Sequence, residues 1–157
     1  TSKYAIQVSD TCLTDLTIGK KLKDKGIKTV IYQNSFMIGY SGIAYLRRSS
    51  FQCSKNRELN EMLPLNIWIA EAVRDTKDIN EAIKSIIKSA EESIQHEYRS
   101  SADKRYLEFN IVGWRKVGRS IKPIIVSIQP DSRGVKYITK ITHLGMVMHQ
   151  HLKIFNK

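Results

Sequence analysis

The segment that most restricts this chain lies at residues 78–94. Asp78-Ile-Asn-Glu81 has the form of a helix-starting capping box, with aspartate in place of the usual serine or threonine. Behind it Ile79, Ala82, Ile83, Ile86, Ile87, Ala90 and Ile94 recur at steps of three and four, which places them on one face of an α-helix. The other face carries Lys84, Lys88, Glu91 and Glu92, with Lys88 and Glu92 at the i,i+4 spacing of a surface ion pair. A helix with one apolar stripe must bury it against another layer, so the flanking segments decide the fold class.

Just upstream, Pro64 precedes Asn66, which the sequence offers as an N-cap, and Ile67, Ile69, Ala70 and Val73 predict a shorter first helix. On either side of the helices the pattern changes to period two. Tyr4 to Ser9 alternates and ends at Asp10, as a strand reaching a turn would. Residues 11–26 are polar, lysine-rich and punctuated by Gly19 and Gly26, and are expected to form an irregular excursion. Thr29–Tyr32 and Phe36–Tyr40, separated by Gln33, Asn34 and Ser35, predict a hairpin that stops at Ser41-Gly42. After the helices, Tyr98 to Lys104 reads as a polar loop. Tyr106–Trp114 and Lys122–Gln129 then read as a hairpin about the turn Lys116–Ser120. Pro130-Asp-Ser-Arg-Gly134 is a further turn, and Val135–Thr142 and Val147–Phe155 are the remaining strands. The expected architecture is a single domain over 1–157, α/β of the α+β type, layered and not doubly wound.

With 157 residues, 41% hydrophobic and 26% charged, the chain has the composition of a folded domain. No apolar stretch approaches the ~18–20 residues of a membrane span, and the N-terminal residues lack a signal-peptide core. Cys12 and Cys53 each stand alone, unlike a disulfide framework, so a cytoplasmic protein with reduced thiols is expected. The net charge is +11, with clusters at Lys20, Lys21, Lys23, Lys25 and Lys28, at Arg47 and Arg48, and at Arg115, Lys116 and Arg119. Such a surface attracts polyanions in general. The chain carries no RNP-type aromatic motif, helix-turn-helix spacing or zinc knuckle, so nucleic acid as a partner has no motif behind it, and a solvated basic surface is the plainer reading.

The ordered set of motifs resembles the proteasome-like N-terminal-nucleophile (Ntn) hydrolases. Val8-Ser-Asp-Thr-Cys-Leu-Thr-Asp15 is similar to the "ASDxRxT" segment of proteasome β-subunits and bacterial proteasome-like hydrolases. The stretch from Lys28 to Tyr32, and Phe-Met-Ile-Gly-Tyr-Ser-Gly-Ile-Ala from Phe36, resemble that family's next hairpin, which ends in a glycine, here Gly42, leading into the first helix. Two helices and the strand Phe109–Trp114 follow in the family's order, so the likeness runs from about Tyr4 to His143. It is nearest to small bacterial Ntn-like proteins with the pattern "SDxRLT…YxG(L/I)A". The resemblance implies stacked antiparallel sheets covered by helices, here without an evident first strand.

It also implies amide-bond hydrolysis, in which an N-terminal Thr, Ser or Cys attacks while its own α-amine serves as base. By position Asp10 takes the supporting aspartate role and Gly42 the backbone oxyanion role. The lysine position falls at Thr29, with Lys28 one residue away and therefore on the opposite face of a strand. Thr1 is the candidate nucleophile by position. If Thr1 to Asp10 is one extended strand, however, roughly nine steps of ~3.3 Å separate the two by about 30 Å. The competing expectation is a non-catalytic subunit or binding module on the same fold, serving an acidic partner. Under either reading an open sheet edge invites self-association into a homo-oligomer. A peptide or small amide would be the substrate of an active form.

Neither a cofactor nor a metal is expected. His143, His149 and His151 lie near the C-terminus with no carboxylate or cysteine close in sequence, and are read as structural or surface residues. Cys12 has no neighbouring base and is read as an inert thiol. Ser41-Gly42 lacks the flanks of a nucleophile elbow. Trp68 is expected in the core, and Trp114, beside Arg115 and Lys116, in the core or at its rim.

Overall fold

The computed structural model describes residues 12–15, 20–49, 52, 61–97, 107–131 and 136–143. Within them the chain order is β1 (Cys12–Asp15), β2 (Lys20–Lys25), β3 (Thr29–Tyr32), β4 (Phe36–Gly42), β5 (Tyr45–Arg47), β6 (Met62–Pro64), α1 (Leu65–Val73), α2 (Ile79–Glu97), β7 (Leu107–Val117), β8 (Ser120–Pro130) and β9 (Tyr137–His143). Among these residues the principal sheet has five strands in the order β3-β4-β7-β8-β9, every pairing antiparallel. The architecture is therefore mixed, an antiparallel sheet with two helices, as the α+β expectation has it.

Register explains which face is buried. Ile38 stands opposite Ile111, and Ile111 opposite Val126; Tyr40, Phe109 and Ile128 form the next row. Alternation puts all six on one face, and all six are buried. Both helices cover that face. The Trp68 ring of α1 stacks on Phe109 at 6.1 Å between centroids. The backbone N–H of Tyr137 in β9 donates to Glu91 of α2 at 3.0 Å. The phenol of Tyr32 in β3 meets Thr76 Oγ1, between the helices, at 2.7 Å.

The predicted helix at 78–94 forms as its sequence dictates. Asp78 Oδ1 accepts from the backbone N–H groups of Asn80 (2.7 Å) and Glu81 (3.0 Å). Those bonds, led by the one from Glu81, hold the Asp78 carboxyl below the usual carboxylate range. Glu81 reaches back to the N–H of Lys77 at 2.9 Å, one residue beyond the cap itself. Ile79, Ala82, Ile86, Ala90 and Ile94 are buried along the inner face. Ser85 Oγ donates to Ala72 O at 2.6 Å and ties α2 to α1.

Both expected hairpins form. The β3–β4 turn holds Gln33 and Asn34 at φ 48° and 50°, with Ser35 N–H donating to Tyr32 O. The turn lies against Gly113, where a Cβ would run into the Phe36 ring and the Ser35 carbonyl. The β7–β8 turn is tighter than expected: Val117 pairs with Ser120, leaving Gly118 and Arg119 as a two-residue loop with Gly118 at φ 60°.

Three expectations are corrected. The span 11–26 is not irregular throughout, because β1 and β2 pair antiparallel with a register shift between Cys12 and Thr14. Lysine-rich composition does not prevent pairing in a ribbon that is not the core of a sheet. The helix pair is preceded by a short ribbon, β5–β6, which three-residue strands are too short to announce by periodicity. Asn66 is not the cap of α1: the helix starts at Leu65 after Pro64, with no side-chain cap, and the Leu65 N–H is taken by Ala44 O at 2.8 Å. The expected strands at Tyr4–Ser9 and Val147–Phe155, the loop at Tyr98–Lys104, and His149, His151 and Cys53 lie outside the described residues. No described helix is long and apolar enough to cross a membrane.

Because Phe109 is fully buried beneath Trp68, Phe109→Ala should cost about 3–5 kcal/mol in urea unfolding. Val112→Ala, on the half-buried opposite face of the same strand, should cost about 1 kcal/mol or less. Similar losses for the two would mean that the opposite face is equally buried.

Candidate functional site

The two ends of the principal sheet carry different chemistry. At the end where β4 stops, Gly42 has φ 102°, a backbone conformation that favours glycine. The chain does not pass from Gly42 straight into a helix, as the resemblance implied; it first runs through β5 and β6. The hydrogen bond from Leu65 N–H to Ala44 O nevertheless brings the start of α1 back beside this point. Lys28 arrives at the same end, since its carbonyl accepts from the N–H of Tyr40 at 3.2 Å, two residues before Gly42. Alternation sets Lys28 on the helix-covered side with Val30, while Thr29, opposite Gly39, belongs to the other face. Of the four residues selected by position, Lys28 and Gly42 lie at the same end of the sheet; Asp10 and Thr1 lie outside the described residues.

A polar group on the helix-free face near Gly42 escaped the sequence reading. One carboxylate oxygen of Glu108 accepts from Ser127 Oγ at 2.8 Å and from Gln129 Nε2 at 2.7 Å. Ser41 stands opposite Glu108, and Asn110 opposite Ser127, which in turn faces Lys140. Alternating polar positions at 108, 110, 127 and 129 are visible in sequence, but the pairing that assembles them is not. A carboxylate is too weak a base to activate a serine hydroxyl on its own, so this group orients polar atoms and supplies no nucleophile by itself.

The opposite end is a basic ribbon. β4 pairs with β7 only as far as Gly113, and β9 pairs with β8 only from Ile124. Residues 115–122 therefore continue as a hairpin with no further strand paired beside it among the described residues. Within 115–122 stand Arg115, Lys116, Arg119 and Lys122, and no acidic residue. Arg115 lies directly opposite Lys122. Like charges so placed destabilise a sheet. Arg115 helps to keep the Asp78 carboxyl, at the start of α2, below its usual range. Trp114 is half-buried at the base of the ribbon, with its backbone N–H directed at Ser35 O.

The most buried charge belongs to neither end. Arg48 is 5% exposed. Its Nε donates to Glu71 Oε2 at 2.8 Å and its NH2 group to Glu71 Oε1 at 2.9 Å, a bidentate pair, while NH1 reaches Glu61. The Glu71 hydrogen bond foremost holds the guanidinium above its ordinary pKa. Nearby, Gln52 bridges the Ser49 N–H and Trp68 O, and Trp68 Nε1 donates to Arg47 O at 3.1 Å. These bonds pin the β5–β6 ribbon to α1, so the pair is a structural clamp. Burial pushes the phenol of Tyr137 up, with Glu91 adding to it.

No protein-family model, curated protein or solved structure matches the chain.

Removing one partner of the buried clamp strands the other. Glu71→Ala should destabilise by about 3–5 kcal/mol. Glu61→Gln, at the half-exposed partner, should cost under about 1 kcal/mol. Chemical denaturation separates the two, and equal effects would show that Glu71 is not the principal partner of Arg48.

Proposed function

We propose that this chain is a binding module for an acidic partner, engaged through the basic β7–β8 ribbon. The observation that carries this reading is the Arg115–Lys122 cross-strand pair, with Lys116 and Arg119 beside it on strands that project beyond the sheet. A ribbon built only for stability gains nothing from opposed cations; one that receives an anion does. The test uses Lys122→Glu. The substitution sets opposite charges across the pair and should stabilise the fold by about 0.2–1 kcal/mol. It should also lower the salt concentration at which the protein leaves a polyglutamate or heparin column. A variant that is more stable and elutes unchanged would defeat the reading.

A second reading is favoured by the position of Lys28 and Gly42 at the same sheet end: amide hydrolysis of the Ntn type. It carries with it the Ntn layering, in which a second sheet stacks on the helix-free face, along the row Ile31, Met37, Val112 and Ile125. Self-association through the sheet edges, β3 and β9, is compatible with both readings. Turnover of fluorogenic peptide amides, lost in Lys28→Ala, is the expected result; absence of turnover by the unaltered chain rules this reading out for those substrates.

A further inference from the structure

We infer that the acidic partner is duplex DNA and that the β7–β8 ribbon enters its major groove; the inference rests on the binding reading above. Three features of the ribbon single out this partner. The first is its reach. From the Arg115–Lys122 pair through Lys116–Ile121 to Val117–Ser120, the strands advance by about 7 Å at ~3.4 Å per residue, and the Gly118–Arg119 turn extends beyond them. The B-form major groove is about 8.5 Å deep and about 12 Å wide, and it admits a two-stranded β-ribbon. The tip is clear of the body of the protein: a Cβ placed on Gly118 would meet nothing within 4 Å.

The second feature is the distribution of charge. Alternation sets Arg115 and Lys122 on one face of the ribbon and Lys116 on the other, with Arg119 at the turn. A flat acidic protein surface would meet one of these faces. A groove has phosphates along both walls and so meets cations on both faces. The third feature is the base. Trp114 and Pro123, paired across the strands, carry no charge, and Trp114 is anchored on Ser35 by a 3.4 Å hydrogen bond. Insertion therefore stops where the sheet begins. Lys116, Gly118, Arg119, Ser120, Ile121 and Lys122 are all exposed. A-form RNA offers a major groove too deep and narrow for such an element, which distinguishes the two duplexes.

The experiment is fluorescence anisotropy of the full chain with duplex DNA of about 20 base pairs in several unrelated sequences, between 50 and 200 mM salt. Four phosphate contacts imply a slope of log K against log salt of about −3.6. Lys116→Gln/Arg119→Gln should reduce it to about −1.8. Lys84→Gln/Lys136→Gln, which removes the same charge elsewhere, should leave the slope unchanged. Duplex RNA of the same sequence should bind more weakly. An unchanged slope in the ribbon variant, or RNA bound as tightly as DNA, overturns the inference. Polyglutamate binding that depends on the ribbon, without DNA binding, overturns it while leaving the acidic-partner reading intact. Binding to neither polymer overturns both.

Discussion

The contact between α1 and the middle of the principal sheet, Trp68 stacked on Phe109, fixes the rest of the molecule. Both rings are fully buried, and the rows Ile38–Ile111–Val126 and Tyr40–Phe109–Ile128 extend that burial across three strands. Large apolar area removed from water at one place sets which face of the sheet is inside. Because side chains alternate, it also sets every position on the other face. The Glu108–Ser127–Gln129 group and the row through Ile31, Met37, Val112 and Ile125 are thus placed by a contact they do not share.

The same contact needs a brace. Trp68 can lie flat on Phe109 only if α1 is held at the right height, and the Trp68 indole N–H, the Gln52 amide and the Arg48–Glu71 pair do this from the β5–β6 side. A buried ion pair contributes little net stability against an apolar alternative, but it tolerates only one geometry. From the β3 side, the Tyr32 phenol engages Thr76 between the helices. Polar groups therefore position an apolar interface, which leaves the sheet ends free for other chemistry.

Those ends differ because the strands differ in length. β7 and β8 each run eleven residues, while β4 and β9 run seven, so the long pair overhangs at one end. The overhang carries the opposed Arg115 and Lys122. At the other end stand Ser41, Gly42 and Lys28, whose carbonyl accepts from the Tyr40 N–H. The convergence is partial as chemistry: alternation keeps Lys28 on the helix side, away from Glu108 and Ser127.

Local sequence was enough for α2, since a capping box and a repeating apolar stripe need no distant partner to be recognised. It was enough as well for the β3–β4 and β7–β8 hairpins, whose turn residues and alternation are contiguous. It could not show β5 and β6, because three residues give no measurable period, nor the pairing of β1 with β2, because lysine-rich strands carry no burial signal. Arg48 and Glu71 are far apart in sequence and typical of any surface; only folding makes them a buried pair. Arg115, Lys116 and Arg119 form a visible cluster in the sequence, yet that Arg115 opposes Lys122, on strands that outrun their neighbours, depends on register. Periodicity and turn chemistry are properties of neighbouring residues, so the sequence by itself determined α2, the two hairpins and the order in which they follow one another. Register, overhang and face are properties of residues brought together across the chain, and these only the tertiary structure decided.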